Sequence, residues 1–129
     1  MKIKRSKTFS GTPWEPLVGY ARAVQAGEVV YISGTTGTDP SGKILAPGDV
    51  YAQSVQAIRN IESALKRLGL GLEHVVRTRI YLTQVDRWQE AAKAHAEFFG
   101  DIHPATSMLG VAGLIDPEML VEIEATAVH

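Results

Sequence analysis

Residues 58–83 read IRNIESALKRLGLGLEHVVRTRIYLT, and within them the spacing of the apolar side chains changes. Ile58, Ile61, Leu65 and Leu68 recur at steps of three and four. They continue a stripe begun at Tyr51 and Val55, and such a stripe marks one face of a helix. From Val75 the step becomes two. Val76, Thr78, Ile80 and Leu82 alternate with Arg77, Arg79, Tyr81 and Thr83, as in a strand with one face turned to a core. Asp49 stands where an N-cap belongs. Lys66 and Arg67 suit the negative end of the helix dipole, and Gly69 suits the C-cap.

Working outward, residues 2–7 read as a first strand whose basic side chains, Lys2, Lys4, Arg5 and Lys7, face solvent. GTPWEPLVGY (11–20), with two prolines and two glycines, reads as an ordered loop. Residues 21–24 and 29–33 form a hairpin about a turn at 25–28, where Gly27 can supply a positive φ. GTTGTDPSGKILAPGD (34–49) is mostly turn and loop. Downstream, a second helix spans about 87–99, with Trp88, Ala91, His95 and Phe98 or Phe99 along one side. Two further strands lie near 107–111 and 120–128.

The order β-β-β-α-β-α-β-β makes an α+β chain, a mixed six-stranded sheet with two helices packed on one face. Two helices can cover one face of such a sheet and not both. The other face carries Arg77, Arg79, Tyr81, Glu122 and Glu124, and it must meet solvent, a ligand or another subunit. A subunit is the expectation.

Composition narrows the function. The chain has 129 residues, 45% hydrophobic and 21% charged, which suits one globular domain over 1–129 rather than a disordered tail. A net charge of -1 supplies no general cationic field, so no nucleic-acid partner is expected. The absence of cysteine removes disulfides, thiol catalysis and thiolate metal sites. No signal-like or membrane-length apolar run occurs, so a cytoplasmic protein without a membrane partner is the expectation. No two of His74, His95, His103 and His129 stand at a metal-binding spacing on one element, and no zinc site is expected. Gly34, Gly37 and Gly42 are too scattered to cradle a phosphate. No spacing favours a Ser–His–Asp arrangement. His95, on the apolar side of the second helix, reads as a packed, hydrogen-bonded core histidine. His103 lies in a turn and His74 in solvent.

Taken together, GYARAVQAGEVVYISG (19–34), the helix and strand of 58–83, FFGDIHPATSMLGVAGL (98–114) and VEIEATAV (121–128) resemble the Rid family, the YjgF/YER057c/UK-type proteins often labelled endoribonuclease L-PSP. The resemblance covers nearly the whole chain. It implies a chorismate-mutase-like fold and a homotrimer whose sheets pack into a central barrel, with a small-molecule cleft between each pair of neighbours. In the deaminase branch, water hydrolyses short-lived 2-imino acids and their enamine tautomers to a keto acid and ammonia, without a cofactor. Carried over residue by residue, a tyrosine and a serine of the cleft fall on Tyr20 and Ser33. The glutamate that holds the attacking water falls on Glu122.

One position departs. The deaminases read P-A-R-S where this chain reads P-A-T-S, so the arginine that grips the substrate carboxylate is replaced by Thr106, followed by Ser107. An asparagine often found in the second helix is likewise replaced, by Ala92. Removing one side of a buried charge pair costs about 2–5 kcal/mol, so the usual 2-imino acid deaminase activity is expected to be weak or absent. Three readings stay open. Arg22, Arg77 or Arg79 could reach the carboxylate instead; the substrate could lack a carboxylate at that end; or the cleft could bind a metabolite without turning it over.

Plain structural readings stand beside these. Thr106 and Ser107 suit strand residues whose hydroxyls satisfy nearby backbone, and Glu122 and Glu124 suit ion pairs with Arg77 or Arg79. Tyr20 suits interface packing, and Ser33 suits a strand end at a turn. The functional expectation is a cofactor-independent imine or enamine hydrolase with altered substrate. The alternative is a non-catalytic metabolite-binding or interaction trimer. A ribonuclease or translation inhibitor stands behind both, because the chain offers neither a basic stripe nor a histidine pair.

Overall fold

A computed structural model describes residues 2–129. Its strands are β1 (Arg5–Thr8), β2 (Ala23–Ala26), β3 (Val29–Thr35), β4 (Val75–Leu82), β5 (Ala105–Gly110) and β6 (Val121–Val128). The helices are α1 (Trp14–Val18), α2 (Val50–Arg67) and α3 (Trp88–Phe99). One mixed sheet runs in the order β1-β2-β3-β6-β4-β5, antiparallel except for the parallel pair β4–β5, which α3 connects. α2 lies over β3 and β6 and packs on α3, as two apolar helix faces require of a sheet with one dry side.

Local chemistry explains the ends of α2. The Asp49 carboxylate accepts the Ala52 N–H at 2.9 Å, and Gly69 takes a left-handed φ of 79° just past the last turn. The buried face holds Val50, Ala57, Ile58, Ile61, Ala64 and Leu65. It is rotated from the expected stripe. Tyr51 and Val55 are only half-buried, while Gln53 and Ser54 are buried in their place. Hydrogen bonding permits this. The Gln53 amide donates to the Ala46 and Glu118 carbonyls and accepts the Leu120 N–H, so this buried polar group is satisfied.

Three further expectations are corrected. The segment 11–20 is not all loop, for α1 forms within it. In β4, Val75 pairs with Ala127 and Arg77 with Thr126, so Val76 is the extra residue of a β-bulge. Val75 enters the core and Val76 turns outward, whereas Thr78, Ile80 and Leu82 face the helices as expected. In α3 the small side chains Ala91 and Ala94 face inward with Phe99, and Trp88, at the first residue of the helix, stays outside that contact.

Among the described residues neither α2 nor α3 covers the opposite face of the sheet. Across it run the rows Tyr31–Thr126–Arg77, Glu124–Arg79 and Glu122–Tyr81, set by the strand registers. Tyr31 leaves 56% of its surface open there. Among the described residues no helix is long and apolar enough to cross a membrane.

Candidate functional site

Two glutamates share the bare face, and their surroundings differ. Glu124 accepts the Tyr81 hydroxyl at 2.8 Å and pairs with Arg79 at 3.3 Å. That pair is the structural ion pair expected from spacing. Glu122 has no hydrogen bond or salt bridge among the described residues. Burial pushes its carboxyl above the ordinary carboxylate value; the Arg22 charge opposes that rise and the Glu124 charge adds to it.

A second bulge creates the place where Glu122 sits. Ile32 pairs with Ala125 and Thr35 with Ile123, so β3 carries one residue more than β6 across this interval, around Ser33 and Gly34. The Glu122 carboxylate lies over Gly34, where a Cβ would stand 2.4 Å from Oε2 and 2.7 Å from Cδ. Gly34 is therefore required as bare backbone. Gly34→Ala should displace the Glu122 carboxylate, which can rotate away. We expect any turnover that depends on the Glu122 carboxylate to fall by about tenfold or more while the unfolding free energy changes little, as an activity assay beside chemical denaturation would record.

Glu122 lines a cleft of about 230 Å³ together with Tyr20, Arg22, Thr36, Asn60 and Arg67. Arg22 forms its floor. The guanidinium is 5% exposed and donates to the Gly34 carbonyl at 2.6 Å, to Thr35 Oγ1 at 3.2 Å and to the Tyr20 hydroxyl at 3.2 Å. It also donates to Glu15 Oε2 at 3.2 Å, a carboxylate 2% exposed. Because the Tyr20 oxygen accepts from Arg22, its own proton is free to be donated into the cleft.

Glu15 is the anchor of this arrangement. Burial pushes its carboxyl upward, but the Ser10 and Thr12 hydroxyls, the Ser10 N–H and Arg22 more than offset it, and its pKa falls from 4.5 to about 2. A depressed carboxylate stabilises the fold fully above its unfolded value and loses that contribution as pH falls through the folded value. Stability should therefore drop by about 3 kcal/mol between pH 4.5 and pH 2, a change that urea titrations across that range would read.

The structure brings some expected residues together and separates others. Tyr20, Arg22 and Glu122 meet in the one cleft. Ser33 lies on the other side of Tyr20, in a more open depression with Phe9, Pro13, Pro16 and Val24, and its hydroxyl donates to the Ala21 carbonyl at 2.8 Å. Thr106 and Ser107 line neither space. Thr106 pairs with Thr78 and so lies on the helix-covered side, at the outer strand, whereas Glu122 lies on the bare side. β4 stands between them. The separation is about 10 Å across two strand spacings and about 10 Å along the strands.

Nor do the other arginines fill the place of the missing guanidinium within one chain. Arg22 is paired with Glu15 and Arg79 with Glu124. Arg77 donates to the Ser107 hydroxyl at 3.0 Å, and its Nε is buried without a partner. His95 matches its expectation: Nε2 lies 2.9 Å from Thr78 Oγ1, and the ring packs on Phe99 at 4.6 Å between centroids. His103 lies in the turn after α3, at a positive φ of 55°. His74 is half-buried rather than free in solvent, because Nδ1 accepts the Gly71 N–H and the ring stacks on His129. Among the described residues no group of three His, Asp or Glu side chains could hold a metal ion.

Sequence reasoning missed Glu15, Ser10 and Thr12. A signal for them existed in TPWE (12–15), which has the S/T-x-x-E pattern of a helix start with proline at its first position. Asn60 and Arg67 of α2 carried no such mark.

The arrangement defines a class: a small α+β protein with a mixed sheet, one bare face, and a polar cleft at a strand bulge. Comparison with known proteins gives the family. The endoribonuclease L-PSP family model matches residues 12–129. A Mycobacterium tuberculosis member of the YjgF/YER057c/UK114 family superposes with a TM-score of 0.88 at 46% identity, over 98% of this chain and 100% of that one. The mouse 2-iminobutanoate/2-iminopropanoate deaminase is 35% identical over 124 residues, 95% of this chain and 91% of its own. Escherichia coli TdcF, whose crystal structure holds bound serine, superposes with a TM-score of 0.77 at 26% identity, over 85% of this chain and 87% of its own. The chain belongs to the YjgF/YER057c/UK114, or Rid, family.

Proposed function

We propose that this protein hydrolyses reactive imines or enamines of small metabolites in clefts formed between copies of the chain. The observation that carries the proposal is Glu122: of the two carboxylates on the bare face it alone has no partner, it lines a cleft, and burial raises its basicity. Water held by Glu122 attacks the C=N carbon, and the carboxylate takes its proton as the C–O bond forms. The π electrons move to nitrogen, beside the Tyr20 hydroxyl. Return of that proton to nitrogen gives a carbinolamine. Glu122 then carries the carbinolamine hydroxyl proton to nitrogen, and the C–N bond breaks as the C=O bond forms, leaving a carbonyl compound and ammonia. None of these steps calls on a cofactor. The deaminase name of the mouse relative and the serine in TdcF support a small amino-acid-derived ligand.

Three copies sharing their bare sheets form the assembly in this reading, and the free edge of the outer strand β5, where Thr106 is exposed, meets the Glu122 cleft of the next copy. Exposed Tyr31 and the apolar depression around Phe9 support burial against another chain. A second reading, a trimer that binds a metabolite without turning it over, is favoured by one feature, the threonine where the deaminases carry a charged clamp. Ribonuclease activity finds no support in a net charge of -1.

The test adds purified protein to imines generated in place, 2-imino acids from an amino-acid oxidase and uncharged imines from a flavin amine oxidase, with catalase present. Faster ammonia release from either, by a species of three-chain mass in sedimentation, supports the proposal. A monomer, or no acceleration with any imine, overturns it.

A further inference from the structure

Thr106 does not hang free at the sheet edge. Its Oγ1 lies 2.7 Å from Thr78 Oγ1, which in turn lies 2.9 Å from His95 Nε2, and the same Thr106 hydroxyl reaches the Pro104 carbonyl at 3.2 Å. Thr78 is 0% exposed and Thr106 is exposed, so the row runs from inside the molecule to its surface. A hydroxyl has one proton and two lone pairs. One arrangement makes all three bonds: His95 donates to Thr78, Thr78 to Thr106, and Thr106 to the Pro104 carbonyl. In the reverse arrangement Thr106 donates to Thr78, and Thr78 to His95. In both, the single Thr106 proton is engaged inside the chain, and the oxygen shows only lone pairs to the outside.

From this geometry we infer that Thr106 is a hydrogen-bond acceptor in the cleft, and that the ligand group meeting it is an uncharged N–H donor, such as a carboxamide, rather than a carboxylate. The inference rests on the cleft proposed above and names its substrate class. A carboxylate placed there would meet lone pairs rather than donors. Arg22 and Arg79 are both held by carboxylates, and Arg77, which has no carboxylate partner among the described residues, is turned with Ser107 to the opposite face of the sheet. An amide NH2 of the same size would supply the donor that the hydroxyl lacks. Thr78 and His95 act as positioning residues, because they fix which way the Thr106 proton points.

Titration calorimetry of the assembled protein with 2-oxobutanoate and 2-oxobutanamide, which differ at one end only, tests this. Wild type should bind the amide about tenfold more tightly. Thr106→Val should bring the two ligands to within about twofold, Thr106→Ser should keep the preference, and Thr106→Arg should reverse it. Wild type binding the acid at least as tightly as the amide would overturn the inference. So would an undiminished amide preference in Thr106→Val. Either result leaves the Glu122 cleft standing. Failure of both ligands to bind any of the four proteins would instead overturn the cleft, and this inference with it.

Discussion

Glu122→Gln should lower imine hydrolysis by about a hundred- to a thousand-fold and leave the fold intact. Glutamine has the shape of glutamate but cannot take a proton from water, so the loss would fall on the chemical step. The fold should not suffer, because the Glu122 carboxylate holds no other residue in place. Burial disfavours its charged form, so at neutral pH the ionised carboxylate works against the native state, and a neutral amide removes that effect. A melting temperature equal to or slightly above that of wild type is the expected accompaniment. In wild type, activity should rise with pH through an apparent pKa above the ordinary 4.5 of a glutamate. Ammonia release at near wild-type rate from the variant would remove Glu122 from the chemistry.

The largest effect on stability is expected at Arg22→Met, about 3–5 kcal/mol, because the substitution leaves the Glu15 carboxylate buried without its cation. For a chain of this length that is a fall in melting temperature of roughly 10–20 °C. The same change frees the Tyr20 hydroxyl and the Gly34 carbonyl, so the surviving protein should also hydrolyse imines poorly. The double variant Arg22→Met, Glu15→Gln should recover part of the stability but not the activity. In the single variant, the gain in stability from pH 2 to pH 4.5 should shrink, since one of the groups that depress the Glu15 carboxyl is gone. Calorimetry across this pH range would show an unchanged melting curve if the pair were dispensable.

The sheet and its helices were legible because each depends on periodicity along one segment. Alternation at Thr78, Ile80 and Leu82, and steps of three and four from Ile58 to Leu65, follow from backbone geometry alone. Asp49 and Gly69 marked the ends of α2 for equally local reasons. The misses share the opposite character. Val76 reads as a core residue until the register with Ala127 and Thr126 makes it the bulged one. Gln53 reads as surface until the carbonyls of Ala46 and Glu118, far apart in the chain, converge on its amide.

The same division runs through the site. Tyr20, Ser33, Glu122 and the substitution at Thr106 were all visible in the sequence through resemblance, as were the two glutamates two residues apart on one strand face. Sequence could not say which glutamate is free, because that depends on Arg79 and Tyr81 reaching across from β4 to Glu124 and on Arg22 being held by Glu15. Nor could it give the sense of the Thr106 hydroxyl, since Thr78 and His95 come from a different strand and a helix. The sequence alone determined the six strands and the two long helices, since these follow from neighbours along the chain, and by resemblance it named the side chains proposed to carry chemistry. Only the tertiary structure decided which charges are neutralised and which lone pairs remain open, since pairing is a matter of distance in space between residues far apart in order.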